Sequence, residues 1–155
     1  MTLISTTSLT GSSITLSSIP QTYQALKMVL KGQYYASNSG CVIRFNSVTS
    51  SSYNTDSTFN SSNLGFGGTF INIENSVATI SRNSLTIVDL PNYTDTTEWK
   101  SAKCYSQTNT IGSNNNVSYR STNAASNISA AITSIDLFPE FANFSGGTVQ
   151  LFGVN

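Results

Sequence analysis

The last nine residues, Gly147-Thr-Val-Gln-Leu-Phe-Gly-Val-Asn155, alternate around one buried face. An alternating run has a period of two residues, so it predicts a β-strand with one face directed inward. A strand at a chain terminus must be held in a sheet, because loose ends fray. We therefore expect a self-contained β-domain that is closed by its last residues.

The composition is typical of an all-β protein with a polar but uncharged surface. Charged residues make up only 9% of the 155 residues, against roughly 25% in an average globular protein. Ser, Thr and Asn, with 27, 20 and 17 copies, take the place of charge. Thr favours strands, whereas Ser and Asn favour turns and loops. The length fits one domain, and 38% hydrophobic residues suffice for one core.

The charges argue against nucleic acid as a partner. Seven basic and seven acidic residues cancel, and the basic ones are scattered rather than clustered as phosphate binding requires. Only Lys27/Lys31 and Lys100/Lys103 form close pairs, and we interpret them as strand residues that face water. The low charge also weakens self-repulsion, which favours association.

The sequence has no membrane segment and only two cysteines. No apolar run approaches the ~18 residues of a membrane span and no signal segment opens the chain, so we expect a soluble protein made in a cytoplasm. Cys41 and Cys104 both have apolar or aromatic neighbours. This setting favours two free buried thiols, with a disulfide as the alternative.

Turn residues divide the chain into about eight to ten predicted strands without a long helix. The predicted strands cover 14–16, 25–34, 41–46, 69–74, 77–81, 84–90, 99–107, 117–123, 130–138 and 147–154. Residues 47–68 form a predicted long loop with aromatic residues, of a kind that often makes interfaces. The pattern predicts a β-sandwich or barrel, with the last two strands paired across Gly146-Gly147. We expect one domain over residues 12–155, after a Ser/Thr-rich N-terminal arm (1–11) that could also be an edge strand.

Residues 21–35 are compatible with a helix or a strand. As a helix, Tyr23, Leu26 and Leu30 would share a face. As a strand, Leu26, Met28 and Leu30 point inward while Lys27, Val29 and Lys31 point outward. The alternation is cleaner in 26–31, so we predict a one-turn helix near 20–24 followed by a strand.

The residue types needed for most enzymatic chemistry are scarce. The chain contains no histidine, so Ser-His-Asp and Cys-His arrangements cannot form. Two cysteines make a poor zinc site. We therefore predict no catalytic residues, no metal site and no cofactor.

Seven carboxylates are the remaining candidates for chemistry. A glycosidase needs two of them facing each other across a cleft. Asp89, Asp95 and Glu98 flank one turn and could hold Ca²⁺ with backbone carbonyls. The favoured interpretation is that these Asp residues form the turn by bonding to their own backbone. The full set is Asp56, Glu74, Asp89, Asp95, Glu98, Asp136 and Glu140.

Aromatic residues offer a second kind of site. Exposed aromatic rings beside Asn or Asp bind sugars, and the candidates are Tyr34, Tyr35, Tyr53, Tyr93 and Trp99. Aromatic residues are equally needed in sandwich cores and oligomer interfaces, which is the interpretation we favour.

Several of these segments together resemble a jelly-roll domain of tailed-phage virion proteins. The ending Phe144-Ser-Gly-Gly-Thr-Val-Gln-Leu-Phe-Gly-Val154 is similar to the Phe-x-x-Gly-x-x-x-x-Leu-Tyr-Gly-Ile terminus of that family, with Phe152 where Tyr is usual. Ser47 stands where Asp or Gly often follows Arg-Phe-Asn. The resemblance spans about residues 11–154, and its other segments are Gly11–Tyr23, Leu26–Leu30, Arg44–Asn46, Tyr53-Asn54 and Ala130–Ile135.

The resemblance implies a jelly-roll-like antiparallel β-sandwich without enzymatic activity, found in capsid decoration (cement) proteins and tail-fibre modules. A short arm with a single domain suits a stand-alone piece better than a fibre tip. We therefore expect a decoration protein on the outer capsid surface of the virion. Its expected partners are the major capsid protein and copies of itself in a homotrimer, with residues 2–12 and 47–68 as contacts. The alternative is a tail protein that recognises host glycan.

Overall fold

The computed structural model describes residues 1–57, 67–74, 84–110 and 116–155. In these residues the chain is built from β-strands joined by turns and loops, and no helix there is long and apolar enough to cross a membrane. The strands are β1 (Thr2–Ser8), β2 (Ile14–Leu16), β3 (Ala25–Tyr35), β4 (Cys41–Phe45), β5 (Tyr53–Ser57), β6 (Ile71–Asn72), β7 (Leu85–Pro91), β8 (Lys100–Thr110), β9 (Asn116–Ser126), β10 (Ile135–Pro139) and β11 (Phe144–Val154).

The strands form two antiparallel sheets. The larger sheet has the order β1-β11-β3-β7-β8-β9-β5, and the smaller has the order β2-β10-β4-β6. From β1 to β7 the chain alternates between the sheets, and β7, β8 and β9 then follow one another within the larger sheet. The predicted all-β sandwich is confirmed, and jelly-roll connectivity stays a prediction.

The core lies between the two sheets and follows the predicted alternation. Leu26, Met28 and Leu30 of β3 are buried, whereas the intervening positions face outward, as predicted. The smaller sheet contributes Ile43 and Leu137 from the opposite side. One continuous apolar cluster therefore fills the space between the sheets.

The terminal strand is held in the larger sheet, as its alternation predicts. β11 pairs with β1 on one side and with β3 on the other. The predicted pairing with residues 130–138 is wrong, because β10 lies in the smaller sheet between β2 and β4. Alternation specifies which face of a strand is buried, and it carries no information about the neighbouring strand.

The predicted turn at Gly146-Gly147 is instead an irregular part of β11. The register with β3 shifts on both sides of Gly146, which is the signature of a β-bulge. Gly147 has a φ of 111°, and a Cβ there would lie 2.7 Å from the Cα of Gln33. Glycine is therefore required by the bulge rather than by a hairpin turn.

The N-terminal segment, predicted as an arm or an edge strand, is an edge strand over Thr2–Ser8. Leu9 follows it directly and is fully buried. The Leu9 amide donates a hydrogen bond to the Gly147 carbonyl at 2.9 Å. This segment is thus built into the sandwich.

Other predicted boundaries differ from the structure. Residues 20–24 form bends rather than a one-turn helix, and the predicted long loop contains the strand Tyr53–Ser57. Residues 130–134 precede β10 without joining it, and the strand predicted at 69–74 is only Ile71–Asn72. The strand predicted at 77–81 lies outside the described residues.

Candidate functional site

Two of the acidic residues considered for a glycosidase lie on different sheets. Asp89 lies on the outer face of the larger sheet and pairs with Lys27 at 2.5 Å. Asp136 accepts a hydrogen bond from the Thr15 hydroxyl at 2.7 Å on the smaller sheet. The Asp56 side chain lies outside the described part of the structure. Asp89 and Asp136 are thus both bound to other side chains, on two different sheets.

The turn before β8 is held together by its own polar groups. The Asp95 carboxylate accepts hydrogen bonds from the Thr97 amide at 2.6 Å and the Glu98 amide at 2.8 Å. These backbone bonds lower the pKa of Asp95 to about 2. Asp95 therefore has the turn-forming role that the sequence favoured over calcium binding.

Lys100 supplies a cation to the same turn. Its ammonium donates to the carbonyl oxygens of Asp95 at 2.7 Å, Glu98 at 2.8 Å and Ser129 at 3.1 Å. The prediction that Lys100 faces water is wrong, because the residue is only 1% exposed. Lys100 lies two residues before the buried Ala102 on β8, so both side chains point inward. No group of three potential metal ligands occurs among the described residues, and Lys100 already binds two of the carbonyls that a calcium site here would use.

A buried carboxyl group lies between the sheets. Glu74 is fully buried, and its Oε1 accepts a hydrogen bond from Gln33 Nε2 at 3.2 Å. The Tyr35 hydroxyl donates to Glu74 Oε2. Gln33 Nε2 also donates to the Thr86 hydroxyl at 2.7 Å. Burial raises the pKa of Glu74 to about 7, although the Tyr35 and Gln33 bonds oppose the rise.

Both thiols are buried and free, which confirms the favoured interpretation of the cysteines. Burial raises the pKa of Cys41, and it raises the pKa of Cys104 to about 12. The thiolate is the nucleophilic form of cysteine. Neither cysteine is therefore suited to nucleophilic chemistry at neutral pH.

Most aromatic residues predicted as sugar-binding candidates belong to the core. Tyr35, Tyr53 and Tyr93 are buried. The Tyr53 hydroxyl donates to the Val48 carbonyl at 3.1 Å, so this residue fixes a turn. Trp99 is 61% exposed. The five candidates therefore do not form a common surface.

A different aromatic pair lies on the outer face of the larger sheet. Tyr105 of β8 and Tyr119 of β9 are 43% and 72% exposed. Both line a cleft of about 400 Å³, together with Leu85 and Ile87 of β7. Outward positions of an antiparallel sheet are usually polar. Four large apolar or aromatic side chains here make the cleft a candidate binding site.

Two hydrogen-bonding side chains complete this cleft. Gln107 lies opposite Tyr119 in the register of β8 and β9, and Ser121 lies opposite Tyr105. Both residues line the cleft. Aromatic and hydrogen-bonding groups therefore alternate in a square of four side chains, since directly paired residues of adjacent strands lie on the same face.

The sequence contained part of the signal for this cleft. Tyr105 alternates with the buried Cys104 and Ser106, which indicates that it points outward. Nothing in the sequence showed that β8 and β9 pair with Gln107 opposite Tyr119. The pair was missed because pairing register depends on turn geometry as well as on alternation.

Comparison with known proteins adds no relative. The chain matches no family model, no curated protein and no solved structure. The resemblance to a phage virion domain therefore rests on the sequence segments that carry it.

Proposed function

We propose that this protein is a non-enzymatic structural protein of a tailed-phage virion that decorates and stabilises the outer surface of the head. The resemblance suggests the virion setting. The observation that carries the proposal is the edge strand β1, because it offers a means of assembly with other protein chains.

Within the described part of the chain, β1 is the longest of the strands that end the two sheets. It has seven residues, whereas β5, β2 and β6 have five, three and two. Short edge strands protect a sheet from pairing with other chains, and so do Lys or Pro residues on the edge. The sequence Thr-Leu-Ile-Ser-Thr-Thr-Ser has neither.

A bulge between Leu3 and Ser5 interrupts the pairing of β1 with β11, but Ser5–Ser8 follows a regular register. This regular stretch suits the addition of a strand from another chain. The partner would be a capsid subunit or another copy of this protein. A surface rich in Ser, Thr and Asn also leaves few charges to desolvate in such contacts.

The edge role is tested by Thr6→Lys together with Ser8→Lys. Both side chains are exposed, so the fold should tolerate the change, while two charges on the edge should oppose strand addition. We expect the double variant to lose self-association in sedimentation velocity and to lose occupancy on purified virions. The matched control is Ser101→Lys with Asn123→Lys, which adds the same charge at exposed positions of β8 and β9.

The location is tested by electron cryomicroscopy of virions, with the protein identified by a fused tag. Many copies on the head surface are the expected result. Density confined to the tail would refute decoration and favour the alternative of host recognition. If the edge variant occupied heads as fully as the wild type, the proposed role of β1 would be refuted, but the location on the head would not.

A further inference from the structure

The cleft between Tyr105 and Tyr119 has a polarity pattern that indicates its ligand. Val29, Ile87 and Tyr105 form one row across β3, β7 and β8, and Leu85 lies beside Gln107 in the next row. The apolar floor on β7 therefore continues into the square of aromatic and hydrogen-bonding side chains on β8 and β9.

We propose that this cleft binds an oligosaccharide through its pyranose rings. A pyranose ring has a face of C–H groups and an edge of hydroxyl groups. Tyrosine supplies a rigid apolar ring that can stack on such a face and a hydroxyl that can bond to its edge. The Gln107 amide both donates and accepts, as does the Ser121 hydroxyl, so each can satisfy a sugar hydroxyl.

The size and shape of the cleft agree with this ligand class. Its volume of about 400 Å³ falls within the roughly 300–1,000 Å³ of small-molecule sites. Among the residues that the structure describes, the cleft lies on the outer face of the sheet, which allows a chain of sugars to extend along it. A protein partner would favour a contiguous apolar centre with polar groups at its rim, whereas here the two kinds of group alternate.

The charges around the cleft favour an uncharged ligand. None of the described residues that line it is acidic. Lys103 lies beside the cleft with its Nζ 5.4 Å from the centroid of the Tyr105 ring. The Arg120 side chain points away from the cleft, because the residues on either side of it face outward. Its guanidinium donates to the Asn72 side chain at 2.9 Å and to the Thr122 hydroxyl at 2.9 Å. Arg120 thus bonds within the protein and Lys103 contacts the Tyr105 ring, so that stacking and neutral hydrogen bonds are the main source of affinity.

The test is titration calorimetry of the full chain with hexasaccharides of glucose (α1,4 and β1,4), mannose, galactose and N-acetylglucosamine. We expect at least one to bind at micromolar to millimolar concentration. Tyr119→Ala and Tyr105→Ala should each weaken that binding by about tenfold or more, which corresponds to about 1.4 kcal/mol. The matched control is Phe141→Ala, since Phe141 is 70% exposed and lies outside the cleft.

Failure to bind any of these sugars would overturn the proposal, as would equal affinity in the wild type and both tyrosine variants. A change of oligomeric state in Tyr119→Ala without sugar binding would also overturn it, and would identify the face as a protein interface. Because Tyr119 is largely exposed, its truncation should leave thermal unfolding unchanged. The edge substitutions on β1 leave the cleft intact, so this proposal and the proposed function can fail separately.

Discussion

At the scale of single residues, Glu74 is the group most sensitive to solution conditions. The chain leaves strand β6 after Asn72, so the period-two alternation ends and Glu74 turns inward. The amides of Ile73 and Glu74 both donate to the Cys41 carbonyl, at 3.0 and 3.3 Å. The sequence predicted a strand over 69–74, and regular alternation through that strand would place Glu74 on the face opposite Ile71 and Ile73. Alternation in the sequence cannot reveal such a local departure from regular strand structure.

We predict that wild-type stability falls as the pH rises from about 5 to about 8. The folded protein holds the Glu74 proton up to a pKa of about 7, against an ordinary value of 4.5. In this window the folded state binds more protons than the unfolded state, so the free energy of unfolding decreases with pH. At 1.36 kcal/mol per pKa unit, the decrease is on the order of 3 kcal/mol. Chemical denaturation at several pH values measures it.

Glu74→Gln should remove this pH dependence and raise stability near pH 8, because the amide carries no charge at any pH. Gln33 Oε1 is buried without a hydrogen-bond partner among the described residues and could accept from the new amide. Glu98→Gln is the control, since Glu98 is exposed. The lowered pKa of Asp95 affects stability only below its ordinary value of 3.8, outside this window. A pH slope unchanged by Glu74→Gln would contradict the prediction.

At the scale of elements, the sequence predicted which face of a strand is buried better than it predicted which strands pair with each other. The alternation in β3 correctly separated Leu26, Met28 and Leu30 from the outward residues. The same kind of alternation in β10 and β11 suggested a hairpin that does not exist, because the two strands belong to different sheets. Faces follow from local periodicity, whereas neighbours follow from chain connections that cross between sheets.

Because β1 is part of the larger sheet, deleting it would destabilise the fold as well as remove an exposed edge. Removing residues 1–11 would take away the strand that pairs with β11, together with the fully buried Leu9. Loss of Leu9 burial alone costs roughly 1.5–3 kcal/mol, and the lost strand pairing adds to it. We predict a thermal midpoint lower by at least about 4 °C, measured by calorimetry.

The double substitution Thr6→Lys with Ser8→Lys is the matched comparison, because it keeps the strand and Leu9. We expect its midpoint to stay within about 2 °C of the wild type. If the deletion left the midpoint unchanged, β1 would not be an integral part of the sheet. A loss of assembly after deletion of residues 1–11 can come from the destabilised fold alone. It therefore supports an assembly role for β1 only if the Thr6→Lys, Ser8→Lys variant also loses assembly.

At the scale of the whole molecule, the charges bond mainly to neutral groups. Arg44 Nε donates to the Thr69 carbonyl at 2.8 Å, and its guanidinium lies 4.5 Å from the centroid of the Phe138 ring. Lys100 binds carbonyl oxygens and Asp95 binds amides. The composition showed that charged residues are few. It could not predict that so many of them would bond to neutral groups in turns and between strands.

This distribution predicts that salt has little effect on stability. Near the sequence pI of 6.1, long-range repulsion between molecules or within the fold is small. Screening at about 0.3 M salt weakens mainly exposed ion pairs. The partly exposed pair Lys27–Asp89 should contribute no more than about 1 kcal/mol. We expect the thermal midpoint to change by less than about 2 °C between low salt and 0.3 M NaCl.

Lys27→Met, which removes that pair, should show the same flat response. A midpoint that falls steadily with salt in both proteins would mean that other ion pairs hold the sandwich together, contrary to the bonding of Arg44 and Lys100 to neutral partners.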